Sequence, residues 1–305
     1  MNQLSFYASG KLLLFGEYLV LRGSRSIAMP LRFGQSLNIT PHDSANILWE
    51  CYEKEKCWLR IEFSPGLEIL QSPDEQKAIV VKRLLQWIRQ EKPSLKIEGL
   101  HFRFDIDFDR NYGLGTSSTF LSLLSQWSGA NPYLLQEHSF PGSGFDIAAA
   151  TATGPFVYQL QTPNNTSGIS ITPFQLHENI SSRLLFVFTG KKQNSLREVS
   201  TFSALNISPA QTGTMNTIVE EVLRCTGIEA FERLMLQSES LLREILKRAT
   251  VKEKRFADYP FAIKSLGAWG GDFIMAAFRD ETLARTYFHE KGMYPIFNYR
   301  QLIKS

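Results

Sequence analysis

The stretch that says most about the fold of this chain is residues 112–119, Tyr-Gly-Leu-Gly-Thr-Ser-Ser-Thr. Before them, residues His101–Phe108 alternate apolar with polar or charged side chains, which predicts a half-buried strand. After them, an apolar run predicts a helix from Thr116 to Trp127. The two glycines permit a tight turn, and a helix N-terminus presents unpaired N–H groups and partial positive charge. The stretch therefore predicts a strand, a phosphate-binding turn and a helix, with consecutive hydroxyl groups near the bound anion.

Other well-known loops of this kind do not match. The stretch lacks the Gly-Lys-Ser/Thr of a P-loop and the third glycine of the dinucleotide fingerprint. Ser117 lacks the glycine two residues later that a serine-hydrolase elbow needs. The plainer interpretation is a tight turn before a helix that Thr116 and Ser117 cap. The residues alone leave both interpretations open.

Two further segments place a charged side chain beside glycine. Asp146 follows Gly-Ser-Gly within residues 141–150, and it is suited to accept a proton from a substrate hydroxyl. Alternatively, Asp146 caps the short helix that follows. Lys11 follows Ser9 and Gly10 at the start of an apolar strand, where it could neutralise phosphate charge. The alternative is a solvated lysine at a strand end.

Two later segments are weaker candidates. Residues 267–273 read Gly-Ala-Trp-Gly-Gly-Asp-Phe, which indicates backbone close to a ligand or simply a β-turn. Residues 189–197 carry several cations that could meet an anionic substrate, or form a solvated loop. The five histidines do not have metal-ligand spacing.

The remaining patterns predict an α+β protein, because strands and helices alternate without regular βαβ spacing. A helix is expected to begin at Ser72-Pro73-Asp74-Glu75, with Ser72 as N-cap. Further helices are expected from the capping box at Ser208, over 231–245 and over 281–290. Strands are expected at Leu12–Phe15, Tyr18–Leu21, Ser26–Leu31, Ser36–Thr40, Phe156–Leu160, Leu184–Phe188, Phe273–Phe278 and Tyr294–Tyr299, with a hairpin of Ile47–Cys51 and Trp58–Phe63. The pattern breaks at Pro163–Gly168, which suggests domains of residues 1–170 and 171–305.

Composition narrows the class of function. The chain has 305 residues, 43% hydrophobic residues and a net charge of +3. The basic residues are scattered, so we expect no nucleic-acid partner. No apolar run approaches the length of a membrane span, and the N-terminus does not resemble a signal peptide. Three cysteines without a paired motif suit a reduced compartment. We therefore expect a cytoplasmic protein, monomeric or homodimeric, without a membrane partner.

Taken together and in order, these segments resemble the GHMP kinase superfamily. Its first motif is similar to Ser9-Gly10-Lys11 with Gly16-Glu17-Tyr18, its second to residues 113–118, and its third to residues 267–272. The resemblance extends from residue 9 to about 278. Within the superfamily, the chain looks most like phosphomevalonate and mevalonate kinases and a bacterial group with a Gly-Tyr-Asp-Ile-Ala signature, here residues 144–148.

The resemblance implies an N-terminal domain like ribosomal protein S5 domain 2 and a ferredoxin-like C-terminal domain. It implies ATP and Mg²⁺ as cofactors and a small-molecule substrate. By its pattern, Asp146 matches the catalytic base and Lys11 its electrostatic partner. Ser117 matches a hydroxyl that approaches Mg²⁺, and Glu137 is a second candidate for that ion. ATP phosphates would lie on Gly113, Leu114, Gly115, Thr116, Ser117 and Ser118; substrate would contact Glu17, Tyr18, Ser143, Gly144, Ser195, Gly270, Gly271 and Asp272.

Some residues depart from the family pattern. Ser9 replaces a proline, residues 109–112 replace a glycine-rich lead-in, and Trp269 replaces a small residue and could narrow the substrate pocket. We therefore keep two alternatives to an ATP-dependent kinase acting on phosphomevalonate or mevalonate. One is a lyase like diphosphomevalonate decarboxylase, and the other is a non-catalytic ligand sensor with the same fold.

Overall fold

The computed structural model describes residues 3–140, 142–163, 165–191 and 195–305. Its strands are β1 Leu4–Phe15, β2 Ser26–Pro41, β3 Ile47–Glu53, β4 Lys56–Phe63, β5 Ile69–Gln71, β6 Leu100–Ile106, β7 Phe156–Thr162, β8 Asn165–Pro173, β9 Leu184–Phe188, β10 Ile263–Leu266, β11 Phe273–Ala277 and β12 Ile296–Asn298. Its helices are α1 Glu75–Glu91, α2 Thr116–Ser128, α3 Pro132–Glu137, α4 Phe145–Thr151, α5 Glu178–Ser181, α6 Ser195–Ser203, α7 Pro209–Arg224, α8 Ile228–Leu246, α9 Val251–Arg255, α10 Glu281–Glu290 and α11 Tyr299–Leu302. Short 3₁₀ turns span Leu19–Arg22 and Arg110–Tyr112.

The chain forms two compact units that are not contiguous in sequence. The first unit comprises Met1–Gly10, Phe33–Arg110 and Gly115–Thr151. The second comprises Lys11–Arg32, Asn111–Leu114 and Ala152–Ser305. Strands β1 and β2 each contribute residues to both units, so a single cut in the chain cannot separate them. The division at residue 170 stays a prediction.

The first unit combines a sheet with helices. Its strand order is β5-β4-β3-β6-β2, with β3 and β6 parallel and the other neighbours antiparallel. The inner face is aromatic, since the ring of Trp49 lies 5.2 Å from that of Phe102 and 4.7 Å from that of Phe104. Helix α1 buries Leu84 and Leu85 in this core, and α2 lies against α3 and α4. The alternation over β6 therefore has the predicted buried face.

The second unit contains a fully antiparallel sheet of order β10-β11-β9-β12. Helices α6 to α9 follow β9, the strands β10 and β11 are adjacent, and α10 connects β11 to β12. This is the β-α-β-β-α-β order of ferredoxin-like folds. The first residues of β2 pair with β7, which pairs with β8. Within the described ranges, none of the helices combines the length and apolar character needed to cross a bilayer.

Several local predictions are confirmed. Strand β9 and helix α10 have the predicted bounds, and α2 begins at Thr116 as expected. The capping box at Ser208 is present, with reciprocal bonds to Gln211. Helices α7 and α10 begin at capping residues and β9 is a continuous apolar run, so local sequence was sufficient for them.

Other local predictions are wrong. The N-cap of α1 is Asp74, whose side chain accepts a hydrogen bond from the N–H of Lys77, while the Ser72 hydroxyl bonds the Asp74 backbone. Residues 18–21 do not form a strand but enter a 3₁₀ turn, in which the N–H of Leu21 donates to the Tyr18 carbonyl. The expected closing strand is limited to Ile296–Asn298. The two expected strands between residues 26 and 40 are one continuous strand, β2.

Candidate active site

The predicted phosphate loop is a tight turn that opens α2. Gly113 has φ +71° and Gly115 has φ +100°, and Gly115 is the N-cap of α2 without a side-chain cap bond. Its first-turn N–H groups therefore have the open character that suits an anion. Thr116 and Ser117 do not cap the helix, so the capping role expected for these two residues is wrong.

The hydroxyl groups of this turn divide into two pairs. The Ser118 hydroxyl donates to the Gly115 carbonyl at 2.9 Å, and the Thr119 hydroxyl donates to Gln35 Oε1 at 2.9 Å. Both side chains are buried. Ser117 is exposed and Thr116 is half-buried. The structure thus leaves Thr116 and Ser117, rather than the whole run, as the accessible hydroxyls.

Within the second unit, Lys11 binds the turn directly. Its backbone N–H donates to the Leu114 carbonyl at 2.8 Å, and its Nζ donates to the Gly113 carbonyl at 3.2 Å. The ammonium group is therefore held beside the turn that precedes α2. This contact unites the first and second sequence motifs.

The third motif meets the same turn through Asp272. Its carboxylate lies so close to Gly113 that a Cβ there would come within 2.3 Å of Asp272 Oδ2. The backbone of Asp272 is anchored by the Thr189 N–H, at 2.9 Å from its carbonyl oxygen. The Thr189 hydroxyl donates to the Gly271 carbonyl, also at 2.9 Å. Only a glycine at 113 permits this approach, so all three motifs converge in the second unit.

Glu17 lies in the interior. It is 3% exposed and forms an ion pair with Lys264, which is fully buried on β10. Burial raises the pKa of Glu17, and Lys264 opposes that shift. A second buried carboxyl, Glu239 of α8, accepts from the N–H of Ser265 at 3.1 Å, and burial raises its pKa to about 7. We call Glu17, Lys264 and Glu239 the buried charge cluster.

Tyr18 and Trp269 join the first and third motifs a second time. The Tyr18 hydroxyl accepts from the Trp269 backbone N–H at 2.5 Å and donates to Glu198 at 3.4 Å. Burial raises the pKa of Tyr18. The Trp269 indole is 6% exposed and donates to the Ala249 carbonyl at 3.2 Å. Trp269 is therefore an interior side chain of the second unit, and the expectation that it narrows a pocket is not supported by this placement.

Asp146 belongs to the first unit, in the first turn of α4. It is half-buried, and its Oδ1 accepts from the Ile147 N–H at 3.1 Å and from Gln136 Nε2 at 3.3 Å. Ser143 is buried and Gly144 has φ +83° in the turn just before. The carboxylate is thus tied to its own helix while it stays partly accessible.

The remaining predicted residues have plainer positions. Glu137 is exposed at the end of α3, next to the buried Gln136. Gly270 and Gly271 have positive φ within the third motif. Ser195 is the first residue of α6.

The second-unit and first-unit groups also contain residues that the sequence analysis missed. Lys264 could have been noticed as a lysine within the strand Ile-Lys-Ser-Leu, because a charge there needs a partner. The sequence does not single out Glu239, because it is one of several charged residues along α8. Gln136 carries no charge and adjoins the more conspicuous Glu137, so the sequence contained no signal for it.

The donor set is compatible with a magnesium ion that arrives with nucleotide phosphates. Mg²⁺ keeps several waters and uses one or two carboxylates together with phosphate oxygens. Across the described residues, histidine, cysteine and carboxylate side chains do not form a cluster of three or more. Asp146 and the exposed Ser117 hydroxyl offer single oxygens of the right kind. The side chains therefore fit a shared ion better than a protein-only cage.

Comparison with known proteins shows a likeness in structure. No protein-family model and no curated protein matches the sequence. The phosphomevalonate kinase of Streptococcus pneumoniae, solved with phosphomevalonate and AMPPNP, aligns with a TM-score of 0.70 and 16% identity over 98% of this chain and 100% of that one. The mevalonate kinase of L. major, solved with R-mevalonate, aligns with a TM-score of 0.67 and 17% identity over 99% of this chain and 96% of that one. The galactokinase of Lactococcus lactis, solved with galactose, aligns with a TM-score of 0.64 and 12% identity over 99% of this chain and 93% of that one.

These proteins are GHMP kinases with different acceptors. At such identities the likeness is one of fold. The predicted α+β fold of the GHMP kinases is therefore confirmed for this chain.

Proposed function

We propose that this chain, which has the fold of the GHMP kinases, transfers a phosphoryl group from ATP to a small molecule, with phosphomevalonate or mevalonate as the acceptor. The carrying observation is the convergence of Lys11, Gly113 and Asp272 at the turn that opens α2. Residues far apart in sequence meet in the second unit at this turn, which the family resemblance assigns to phosphate binding. The structural likeness to kinases of several acceptors supports the reaction class more strongly than the acceptor.

The proposal gives the turn and α2 the task of holding phosphate. Open N–H groups at the start of α2 receive the negative charge, and the Lys11 ammonium neutralises part of it. Ser117 and one carboxylate would hold Mg²⁺, which would neutralise phosphate charge there. Phosphoryl transfer depends mainly on such positioning and charge neutralisation.

Asp146 is the proposed general base. Its Oδ1 is anchored by two donors, so the carboxylate keeps a defined orientation toward an acceptor hydroxyl. The mevalonate nucleophile is a hydroxyl whose proton must leave. The phosphomevalonate nucleophile is a phosphate oxygen that is largely ionised near neutral pH, so a base matters less. The size of the loss on removing Asp146 therefore depends on the acceptor.

The test is ADP release from Mg·ATP with mevalonate, phosphomevalonate, diphosphomevalonate, homoserine and galactose in separate reactions. Turnover with one of the first two supports the proposal. Carbon dioxide release with diphosphomevalonate would instead support the lyase alternative. ATP binding without turnover on any acceptor would favour a sensor.

A variant pair then tests the assigned base. Asp146→Asn should lower kcat by about a hundredfold on a hydroxyl acceptor, because a positioned base contributes on that order. Asp43→Asn is the matched control, since Asp43 is exposed in a turn of the first unit. An Asp146→Asn enzyme as active as the Asp43→Asn control on a hydroxyl acceptor would remove Asp146 from the mechanism.

A further inference from the structure

The surroundings of Asp146 contain a second polar side chain that the proposed mechanism has not used. Gln136 of α3 is 4% exposed, and its Nε2 donates to Asp146 Oδ1 at 3.3 Å. Tyr133 lies three residues earlier on the same helix, and the charge of Asp146 adds to the burial that raises the pKa of Tyr133. Positions three apart share a helix face. Helix α3 thus presents one face, Tyr133 and Gln136, to Asp146.

The other end of the Gln136 amide explains its orientation. Among the residues that the structure describes, Gln136 Oε1 is buried without a hydrogen-bond partner. A buried acceptor without a donor is unfavourable, so the amide would rotate if rotation improved its contacts. Rotation would place Oε1 against the carboxylate oxygen of Asp146, and two acceptors repel each other. The Asp146 contact therefore determines which way the amide points.

The segment between the two helices leaves room for this arrangement. A Cβ at Gly142 would lie 3.0 Å from Gln136 Nε2, which is tighter than ordinary side-chain contacts. A glycine there lets the amide reach Asp146 without being displaced. The same helix end also receives the N–H groups of Ser139 and Phe140 at the Gln136 carbonyl. Side chain and backbone of Gln136 are both held.

We infer that Gln136 is a positioning residue for the proposed reaction: its amide orients the Asp146 carboxylate. The inference rests on the proposed function, because it takes Asp146 as the base. A hydrogen bond donated to a carboxylate is stronger than one between neutral groups, so its loss should disturb the orientation of the carboxylate. Gln136, rather than the exposed Glu137, is the partner that the structure gives to Asp146.

Kinetics separate positioning from a merely structural role. Gln136→Leu keeps most of the side-chain volume but removes the donor, and kcat should fall roughly tenfold while KM for ATP stays within about twofold. Gln136→Glu removes the same donor and places a like charge beside Asp146, so kcat should fall at least as far as in Gln136→Leu. Gln76→Leu is the control, because Gln76 is exposed on α1 of the same unit. Wild-type kcat in both Gln136 variants would overturn the inference.

A second measurement does not need activity. Selective ¹⁵N labelling of glutamine reports the side-chain amide of Gln136, assigned as the resonance missing from Gln136→Leu. Asp146→Ala should shift this resonance, while Asp43→Ala should leave it in place. An inactive wild type with the shift present would refute the proposed function but uphold the contact. An unmoved resonance would overturn the inference whatever the activity.

Discussion

Replacing Glu239 with glutamine should stabilise this protein at neutral and alkaline pH and flatten the dependence of its stability on pH. Glu239 is 2% exposed within the buried charge cluster, and burial raises its pKa to about 7 from an ordinary value of 4.5. Lys264 opposes this shift and the Glu17 carboxyl adds to it. The single ammonium group of Lys264 therefore stabilises the charge of two buried carboxyl groups, those of Glu17 and Glu239.

The sign follows from proton binding. With its pKa raised, the folded protein holds the Glu239 proton more tightly than the unfolded chain. The stability that this proton confers is fully present below pH 4.5, and it is lost as the pH rises toward and through 7. The rise of the Glu239 pKa from 4.5 to about 7 corresponds to about 3 kcal/mol of unfolding free energy, because one pKa unit is worth about 1.4 kcal/mol. Glutamine stays neutral throughout and can still accept from the Ser265 N–H.

Urea unfolding at several pH values from 4.5 to 8 measures the effect, with tryptophan fluorescence and circular dichroism as separate probes of a chain with two units. The Glu239→Gln and wild-type proteins should have similar stability near pH 4.5 and diverge by up to about 3 kcal/mol at pH 8. Glu244→Gln is the matched control, since Glu244 is exposed on the same helix. Parallel curves for wild type and Glu239→Gln over the whole range would refute the reasoning.

Three further variants test the interior contacts of the second unit. Lys264→Met should destabilise the protein by about 3–5 kcal/mol in urea unfolding, because it leaves a buried carboxylate without its cation; an unchanged midpoint would show that the ion pair is dispensable. Gly113→Ala should weaken ATP binding at least tenfold in calorimetry, since its Cβ would collide with Asp272 Oδ2 and alanine is strained at a φ of +71°; ATP binding as tight as in wild type would remove this turn from the phosphate site. Tyr18→Phe should lower stability by about 1–3 kcal/mol by leaving the buried Trp269 N–H without an acceptor. A melting temperature equal to that of wild type would contradict this last expectation.

The elements that local sequence predicted well carry their signal within a few residues. Helices α7 and α10 begin at a capping residue, and strand β9 is a continuous run of apolar residues. The N-cap of α1 was misplaced because Ser72 and Asp74 are both good caps, and only the observed bond to the Lys77 N–H distinguishes them. The strand expected over residues 18–21 was wrong because a short apolar run flanked by glycines does not show whether the chain stays extended or turns.

For the candidate site, residue types and motif order predicted the participants, and the convergence of Lys11 with Gly113 is the observed contact between two of those motifs. Asp146 was found for its own chemistry, as a carboxylate after a flexible turn. Gln136 could not be found in this way, since an uncharged amide acquires its role only from the carboxylate it faces.

The amino-acid order was sufficient for the α+β class, the positions of the glycine-rich turns and the identity of the charged groups, because backbone preference and periodicity act over a few residues. The partners of the interior charges depended on tertiary structure. Lys264 pairs with Glu17 across 247 positions, and Asp272 lies against Gly113, which is also distant in sequence. Such pairs form because a buried charge or a close backbone approach is tolerated only where the folded chain supplies a matching group, and that match is a property of three-dimensional packing.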